Sequence, residues 1–99
     1  MLENHLRYEL LEFCRDTHLL IERARKNYNS FYLGKINMFE IMKGKDSFVV
    51  FFNDLYLTQE SREKLYYDPI AKGNNQAIRV FKQEDVTIVK SIIKSMLYN

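Results

Sequence analysis

Residues 48–52, Phe-Val-Val-Phe-Phe, form the longest apolar run of the chain, and their structure decides the fold. Their β-branched and aromatic side chains favour a strand, and a turn at Asn53-Asp54 would extend it into a hairpin over residues 48–57. The same stretch also has the 3.6-residue period of a helix from Asp46 to Leu55. The strand is the preferred interpretation, and the helix stays open as the alternative.

The segments on both sides of this run have the spacing of amphipathic helices. Apolar residues recur every three or four positions between residues 3 and 27, which predicts one long N-terminal helix. The same spacing from Gln83 to Leu97, with Glu84 and Asp85 in the first turn, predicts a C-terminal helix. Two long helices are therefore expected in either interpretation of residues 48–52.

Shorter elements are predicted between the two helices. The spacing of apolar residues from Ile36 to Met42 fits a short helix that Gly44 would end. Thr58 is placed to cap a helix from Gln59 to about Tyr66, while residues 72–75 indicate a turn before a short strand at 77–81.

These elements predict an α+β fold in one domain, residues 1–99. In it, the two long amphipathic helices pack with a small antiparallel β element and short helices. An all-α bundle is the alternative. The apolar fraction of 46% and the charged fraction of 28% are typical of globular proteins.

Composition argues against several classes of protein. No apolar run approaches the roughly 20 residues of a membrane-spanning helix, and the N-terminal residues lack the apolar stretch of a secretory signal. We therefore expect a cytoplasmic protein without a membrane partner. A single cysteine, Cys14, and two histidines predict neither an intramolecular disulfide nor a zinc site, and no cofactor is expected.

Two compositional biases concern origin and association. Lys, Asn, Ile, Tyr and Phe are plentiful and Trp is absent, which is typical of A/T-rich genomes and makes a phage or mobile element a plausible source. Seven Phe and seven Tyr are many for 99 residues. Since aromatic residues are enriched at interfaces, this surplus predicts a partner surface or a homodimer.

Motifs for catalysis are missing from the sequence. It contains no glycine-rich phosphate loop, no G-x-S-x-G, no C-x-x-C and no H-E-x-x-H. Cys14 and His18 stand four residues apart on the predicted helix, a spacing that would suit a nucleophile and its base. Packing of both side chains is the preferred interpretation, because no third group is present to orient them. The sequence therefore predicts a non-enzymatic protein.

The charge pattern selects a candidate binding segment. Residues 23–45 contain six basic residues against Glu40 alone, which gives a net charge of +5. The candidate residues are Arg23, Arg25, Lys26, Tyr28, Phe31, Tyr32, Lys35, Lys43 and Lys45.

Two functions fit this pattern. The first is a small regulatory protein whose aromatic surface around Tyr28, Phe31 and Tyr32, rimmed by the cations, binds a protein partner or a second copy. The alternative is a nucleic-acid-binding regulator, since cations interleaved with aromatics suit a single strand. Binding to phosphates should weaken steeply with salt, whereas an aromatic protein interface should not.

Overall fold

A computed structural model describes residues 4–69 and 73–98 as one antiparallel sheet with helices before and after it. The six strands lie in the order β1-β2-β3-β4-β6-β5. The elements are α1 (His5–Arg15), β1 (Ile21–Ala24), β2 (Tyr28–Leu33), β3 (Ile36–Met42), β4 (Phe48–Phe52), a 3₁₀ turn (Asp54–Tyr56), α2 (Gln59–Arg62), β5 (Tyr66–Tyr67), β6 (Gln76–Val80) and α3 (Gln83–Tyr98).

The main core lies between the helices and one face of the sheet, here called the helical face. Alternate residues of β3, β4 and β6 point to this face, where α1 and α3 cover them. The buried residues of these three strands in this core include Phe39, Ile41, Phe48, Val50, Phe52, Ile78 and Val80. A smaller cluster of Val49, Phe51 and Ala77, with Met42 against it, lies on the opposite face, here called the open face, and contains no helical residue.

The predicted helix over residues 3–27 is wrong. Asn4 caps α1 by accepting hydrogen bonds from the backbone N–H groups of Leu6 and Arg7, and the helix ends at Arg15. The Thr17 hydroxyl donates to the Cys14 carbonyl, and His18 takes a left-handed conformation with φ 61°, so the chain turns away from the helix axis. The segment that follows gains backbone partners as strand β1. Residues 1–3 lie outside the described part of the chain.

The predicted helix from Ile36 to Met42 is also wrong, since the segment forms β3. The register with β2 passes from Phe31 opposite Phe39 to Tyr32 opposite Asn37, so Met38 is an extra residue in a β-bulge. Met38 and Phe39 are both buried in the main core as a consequence. The extra residue puts Ile36 and Phe39, three positions apart, on one face, while Met42 packs against the open-face cluster, so the helical spacing combines residues from both faces of a strand.

The preferred strand at residues 48–52 is confirmed as β4, but the predicted hairpin to residue 57 is wrong. Asn53 accepts a hydrogen bond from the Leu55 backbone N–H, and the chain enters the 3₁₀ turn instead. β4 pairs with β3 and with β6, which makes it a central strand of the sheet.

The remaining predictions have mixed outcomes. Thr58 caps α2 as expected, but this helix ends at Arg62, and Tyr66 belongs to β5. The strand predicted at 77–81 is confirmed as β6, and the C-terminal helix is confirmed as α3. Lys72, in the predicted turn, lies outside the described residues. A six-stranded sheet therefore replaces the small β element, and the all-helical alternative is wrong.

A basic end of the sheet as the candidate functional site

Two loops bring cations together at one end of the sheet. The turn between β1 and β2 and the loop between β3 and β4 are neighbours, because the Lys43 N–H donates to the Asn27 carbonyl at 2.8 Å. The four exposed cations in these loops are Arg25, Lys26, Lys43 and Lys45. We call these four residues the basic end.

The cations of the basic end have no acidic partner among residues 4–69 and 73–98. The ion pairs between side chains in those ranges use other cations, for example Arg62 with Asp54 at 2.9 Å and Lys90 with Glu9 at 2.7 Å. Asp46 is the only acid within the loop itself, and it is exposed. The basic end therefore presents positive charge that the described chain leaves available to a ligand.

The other predicted site residues are dispersed. Phe31 is 1% exposed and stacks on Phe39 in the core, with 5.1 Å between ring centroids, so it is not available to a partner. Lys35 lies in the turn between β2 and β3, at the sheet end opposite the basic end. The predicted aromatic surface with a continuous cationic rim therefore does not form.

Tyr28 and Tyr32 lie on the open face of β2. Both are half-buried there, because side chains alternate along a strand and the buried Phe31 points to the helical face. The Arg23 guanidinium lies over the Tyr32 ring, with Cζ 4.8 Å from the ring centroid, a cation–π contact.

Apolar side chains are exposed at the sheet end opposite the basic end. Leu19 is 45% exposed, Ile21 is 55% exposed and Ile36 is 39% exposed. We call these three residues the apolar end. β1 runs from the apolar end at Ile21 to the basic end beyond Ala24, a distance of about 10 Å for three strand steps.

A buried polar network holds this part of the sheet to α1. Arg7, 3% exposed, donates to the carbonyls of Met42 at 3.0 Å and Ile41 at 3.4 Å, and to the side-chain oxygen of Asn29. Asn29 donates in turn to the Glu22 carboxylate at 2.6 Å. Sequence reasoning missed this network, because Arg7 follows Leu6 within an apolar stripe and no spacing rule indicates its partners.

Glu22 in β1 is the outer member of the same network. Arg15 donates two hydrogen bonds to its carboxylate, at 2.7 and 2.9 Å. The bonds from Arg15 lower the pKa of Glu22, and the bond from Asn29 acts in the same direction against the effect of burial. The charge of Glu22 is thus balanced by α1 and does not offset the basic end.

Cys14 and His18 do not form a reactive pair. Cys14 is buried in the main core, and burial raises the pKa of its thiol. His18 is exposed beyond the end of α1, so the helical spacing assumed for the pair does not exist.

Other site types receive no support from the described residues. Within residues 4–69 and 73–98, no group of three or more His, Cys, Asp and Glu residues could hold a metal ion. In the same ranges, no helix combines the length and the apolar character that a membrane crossing needs.

An open groove of about 180 Å³ between α1 and α3 is lined by Phe13, Ile93 and Leu97 among others. The Lys90 and Lys94 ammonium groups lie over the Phe13 ring, at 5.5 and 5.8 Å from its centroid.

Comparison of the chain with protein-family models, with curated proteins and with solved structures finds no match. Three features of this chain therefore indicate a function: the basic end, the apolar end and the strand β1 between them.

Proposed function

We propose that this chain is a non-enzymatic binding protein whose basic end engages an acidic segment of a protein partner. The observation that carries the proposal is the convergence of four exposed cations that have no acidic partner among the described residues. The apolar end, at the other end of β1, adds exposed aliphatic side chains to the surface. A surface that combines cations with aliphatic groups suits a protein partner, whereas nucleic-acid interfaces are more polar and more positive throughout.

The expected contribution of the basic end is moderate and sensitive to salt. An exposed ion pair is worth about 0.2–1 kcal/mol, so four such pairs contribute on the order of 1–4 kcal/mol at low ionic strength. The same charges speed the encounter with an acidic partner. Both effects decrease as the Debye length falls to about 8 Å at physiological salt.

Binding of single-stranded nucleic acid is the second candidate, and Tyr28, Tyr32 and Arg23 on the open face favour it. Three observations place it second. Phe31 is buried, and the two tyrosines are half-buried. Tyr28 and Tyr32 are four strand steps apart, about 13 Å, which is too far for two neighbouring bases stacked at about 3.4 Å.

Fluorescence anisotropy with labelled probes tests the proposal. The probes are an acidic peptide in which Asp alternates with Val, a mixed-sequence single-stranded DNA and an RNA of the same sequence, each at low and at physiological salt. The test variant replaces the basic end with glutamine, as Arg25→Gln, Lys26→Gln, Lys43→Gln and Lys45→Gln. The control variant changes net charge equally through Lys35→Gln, Lys64→Gln, Lys82→Gln and Lys94→Gln.

The expected result is that the acidic peptide binds the wild type and the control, and binds the basic-end variant about tenfold or more weakly. If the nucleic acids bind more tightly than the peptide and lose affinity on Tyr28→Leu and Tyr32→Leu, the second candidate replaces the first. An equal loss in the test and control variants would show that net charge, and not this site, determines binding.

A further inference from the structure

The outer edge of β1 is unpaired. β1 pairs with β2 on one side and with no other described strand on the other. Such an edge is a template for a further strand unless proline, a bulge, a covering segment or unmatched charged side chains block it. β1 contains no proline, and its register with β2 runs without a break from Ile21 opposite Tyr32 to Ala24 opposite Asn29.

The ladder fixes which backbone groups face outward. The Arg25 N–H donates to the Tyr28 carbonyl at 2.8 Å, so Arg25 and Tyr28 are a hydrogen-bonded pair. Hydrogen-bonded and non-hydrogen-bonded pairs alternate in an antiparallel ladder, so Arg23 and Ile21 also bond inward to β2. Glu22 and Ala24 therefore direct their backbone N–H and C=O groups outward, which gives two donors and two acceptors.

The edge is held in place before any ligand arrives. Glu22 is fixed from the helical face by Arg15 and by Asn29, the latter in turn bonded to the buried Arg7. A strand held in this way loses little conformational freedom on binding, which favours affinity.

The side chains along the edge differ between its two ends. Ile21, at the start of β1, is apolar and 55% exposed, while Arg25 and Lys26 make its far end cationic. An antiparallel partner strand would place its first residues beside Arg25 and its last residues beside Ile21. The edge therefore complements a segment that begins with acidic residues and ends with apolar ones.

A second copy of β1 does not meet this requirement. Residues directly opposite each other share a face, so a two-fold antiparallel pairing through the middle of the strand centres on Glu22 or on Arg23. Either register places like charges directly opposite each other, which is destabilising. A second copy would also bring its own basic end into the contact.

We propose that the outer edge of β1 binds an extended peptide as a seventh strand, antiparallel to β1, with acidic residues followed by apolar residues. This inference rests on the proposed function, because it states how the acidic partner is held. Backbone bonds to Glu22 and Ala24 supply the register, and the side chains at each end supply the direction.

Two labelled octapeptides of identical composition test the direction. The forward peptide alternates Asp with Val in its first half and Thr with Ile in its second half, and the reverse peptide exchanges the halves. The forward peptide should bind several-fold more tightly by anisotropy. Equal affinities would overturn the inference, since simple attraction to the basic end ignores the order of the residues.

Amide hydrogen exchange of ¹⁵N-labelled protein tests the backbone bonds. The amides of Glu22 and Ala24 should exchange at least tenfold more slowly with the forward peptide bound. The amide of Arg23, already bonded within the sheet, should change little. A bound peptide that leaves the Glu22 and Ala24 amides unprotected would overturn the inference.

The variant Ala24→Pro tests the same edge by removing one outward N–H, a substitution that edge strands tolerate. Ala24→Pro should weaken binding of the forward peptide about tenfold, whereas Ala24→Ser, which keeps the N–H, should bind it like the wild type. Circular dichroism and a thermal melt confirm that both variants are folded. If Ala24→Pro binds normally while the basic-end variant does not, the edge inference fails and the proposed function stands. If no acidic peptide binds at either salt, the proposed function fails as well.

Discussion

Arg7 is the residue on which the packing of α1 against the sheet depends most clearly. Its guanidinium satisfies two carbonyls of β3 and the side chain of Asn29 in a site that is 3% exposed. Arg7→Met keeps the length of the side chain but leaves these acceptors unpaired, so the free energy of unfolding should fall by about 2–4 kcal/mol. Urea denaturation measures this change. Arg25→Met, at an exposed arginine, is the control and should stay within about 0.5 kcal/mol of the wild type; an equal effect of the two changes would refute the role of Arg7.

Glu22 should make stability depend on pH. Since Arg15 lowers the pKa of Glu22 in the folded chain, the stabilisation is complete above the unfolded pKa of about 4.3 and declines as the pH falls through the lower folded pKa. Glu22→Gln should reduce stability at neutral pH and flatten the loss in acid. Urea denaturation across this pH range is the measurement, and Glu63→Gln, at an exposed carboxylate without an ion pair among the described residues, should leave the profile unchanged. An unchanged profile for Glu22→Gln would contradict the prediction.

At the scale of elements, local irregularities explain where sequence patterns misled. The bulge at Met38 puts Ile36 and Phe39 on one face and Met42 is half-buried on the other, so β3 has the spacing of a helix although it is a strand. The apolar spacing of α1 continues by coincidence into β1, past the end of the helix. His18 takes a left-handed conformation there, and the sequence has no glycine at this position to indicate it. In contrast, α3 is a long and regular helix and β4 is a wholly apolar strand, and both were predicted from the sequence. Periodicity therefore succeeded for α3, which continues without a bulge, while the β-branched and aromatic composition of residues 48–52 indicated β4 against their 3.6-residue period.

The loop between β3 and β4 depends on Gly44, and two glycine substitutions separate space from conformation. A Cβ on Gly44 would lie 1.8 Å from the Ser47 carbonyl oxygen, so Gly44→Ala must displace the backbone that carries Lys43 and Lys45. Gly34 has open space around it and φ +63°, so Gly34→Ala should cost only about 1–2 kcal/mol of backbone strain. Gly44→Ala should therefore destabilise the protein more than Gly34→Ala in thermal or urea denaturation. The opposite order would show that the loop can rearrange freely.

At the scale of the molecule, the sequence located the cations but not their arrangement. A net charge of +5 over residues 23–45 selected this segment, because charge is read directly from a sequence. Strand direction decides which of the cations lie close together. Antiparallel pairing of β2 and β3 places Lys43 beside the β1–β2 turn and Lys35 at the opposite end of the sheet. The burial of Phe31 and the free edge of β1 likewise depend on the order of strands, which local patterns do not contain.

At the scale of the whole molecule, the free edge of β1 bears on self-association, because two copies can pair through such an edge. The surplus of aromatic residues predicted a partner surface or a homodimer, but pairing two copies of β1 would oppose Glu22 to Glu22 or Arg23 to Arg23. Arg23→Thr removes one of these repulsions and leaves a favourable Thr–Thr pair, with Glu22 beside Ala24 of the other copy. We therefore expect this variant to form a concentration-dependent dimer in sedimentation velocity, while the wild type shows no association through β1.

The control for this variant is Lys35→Thr, which makes the same change in charge away from β1 and should not associate. Exchange of the Glu22 and Ala24 amides identifies the interface, because only pairing through β1 protects them without peptide. A wild-type dimer with these amides protected would show that attraction along the edge outweighs the repulsion of the like charges. The edge would then be occupied by a second copy, and an acidic peptide would have to displace that copy in order to bind.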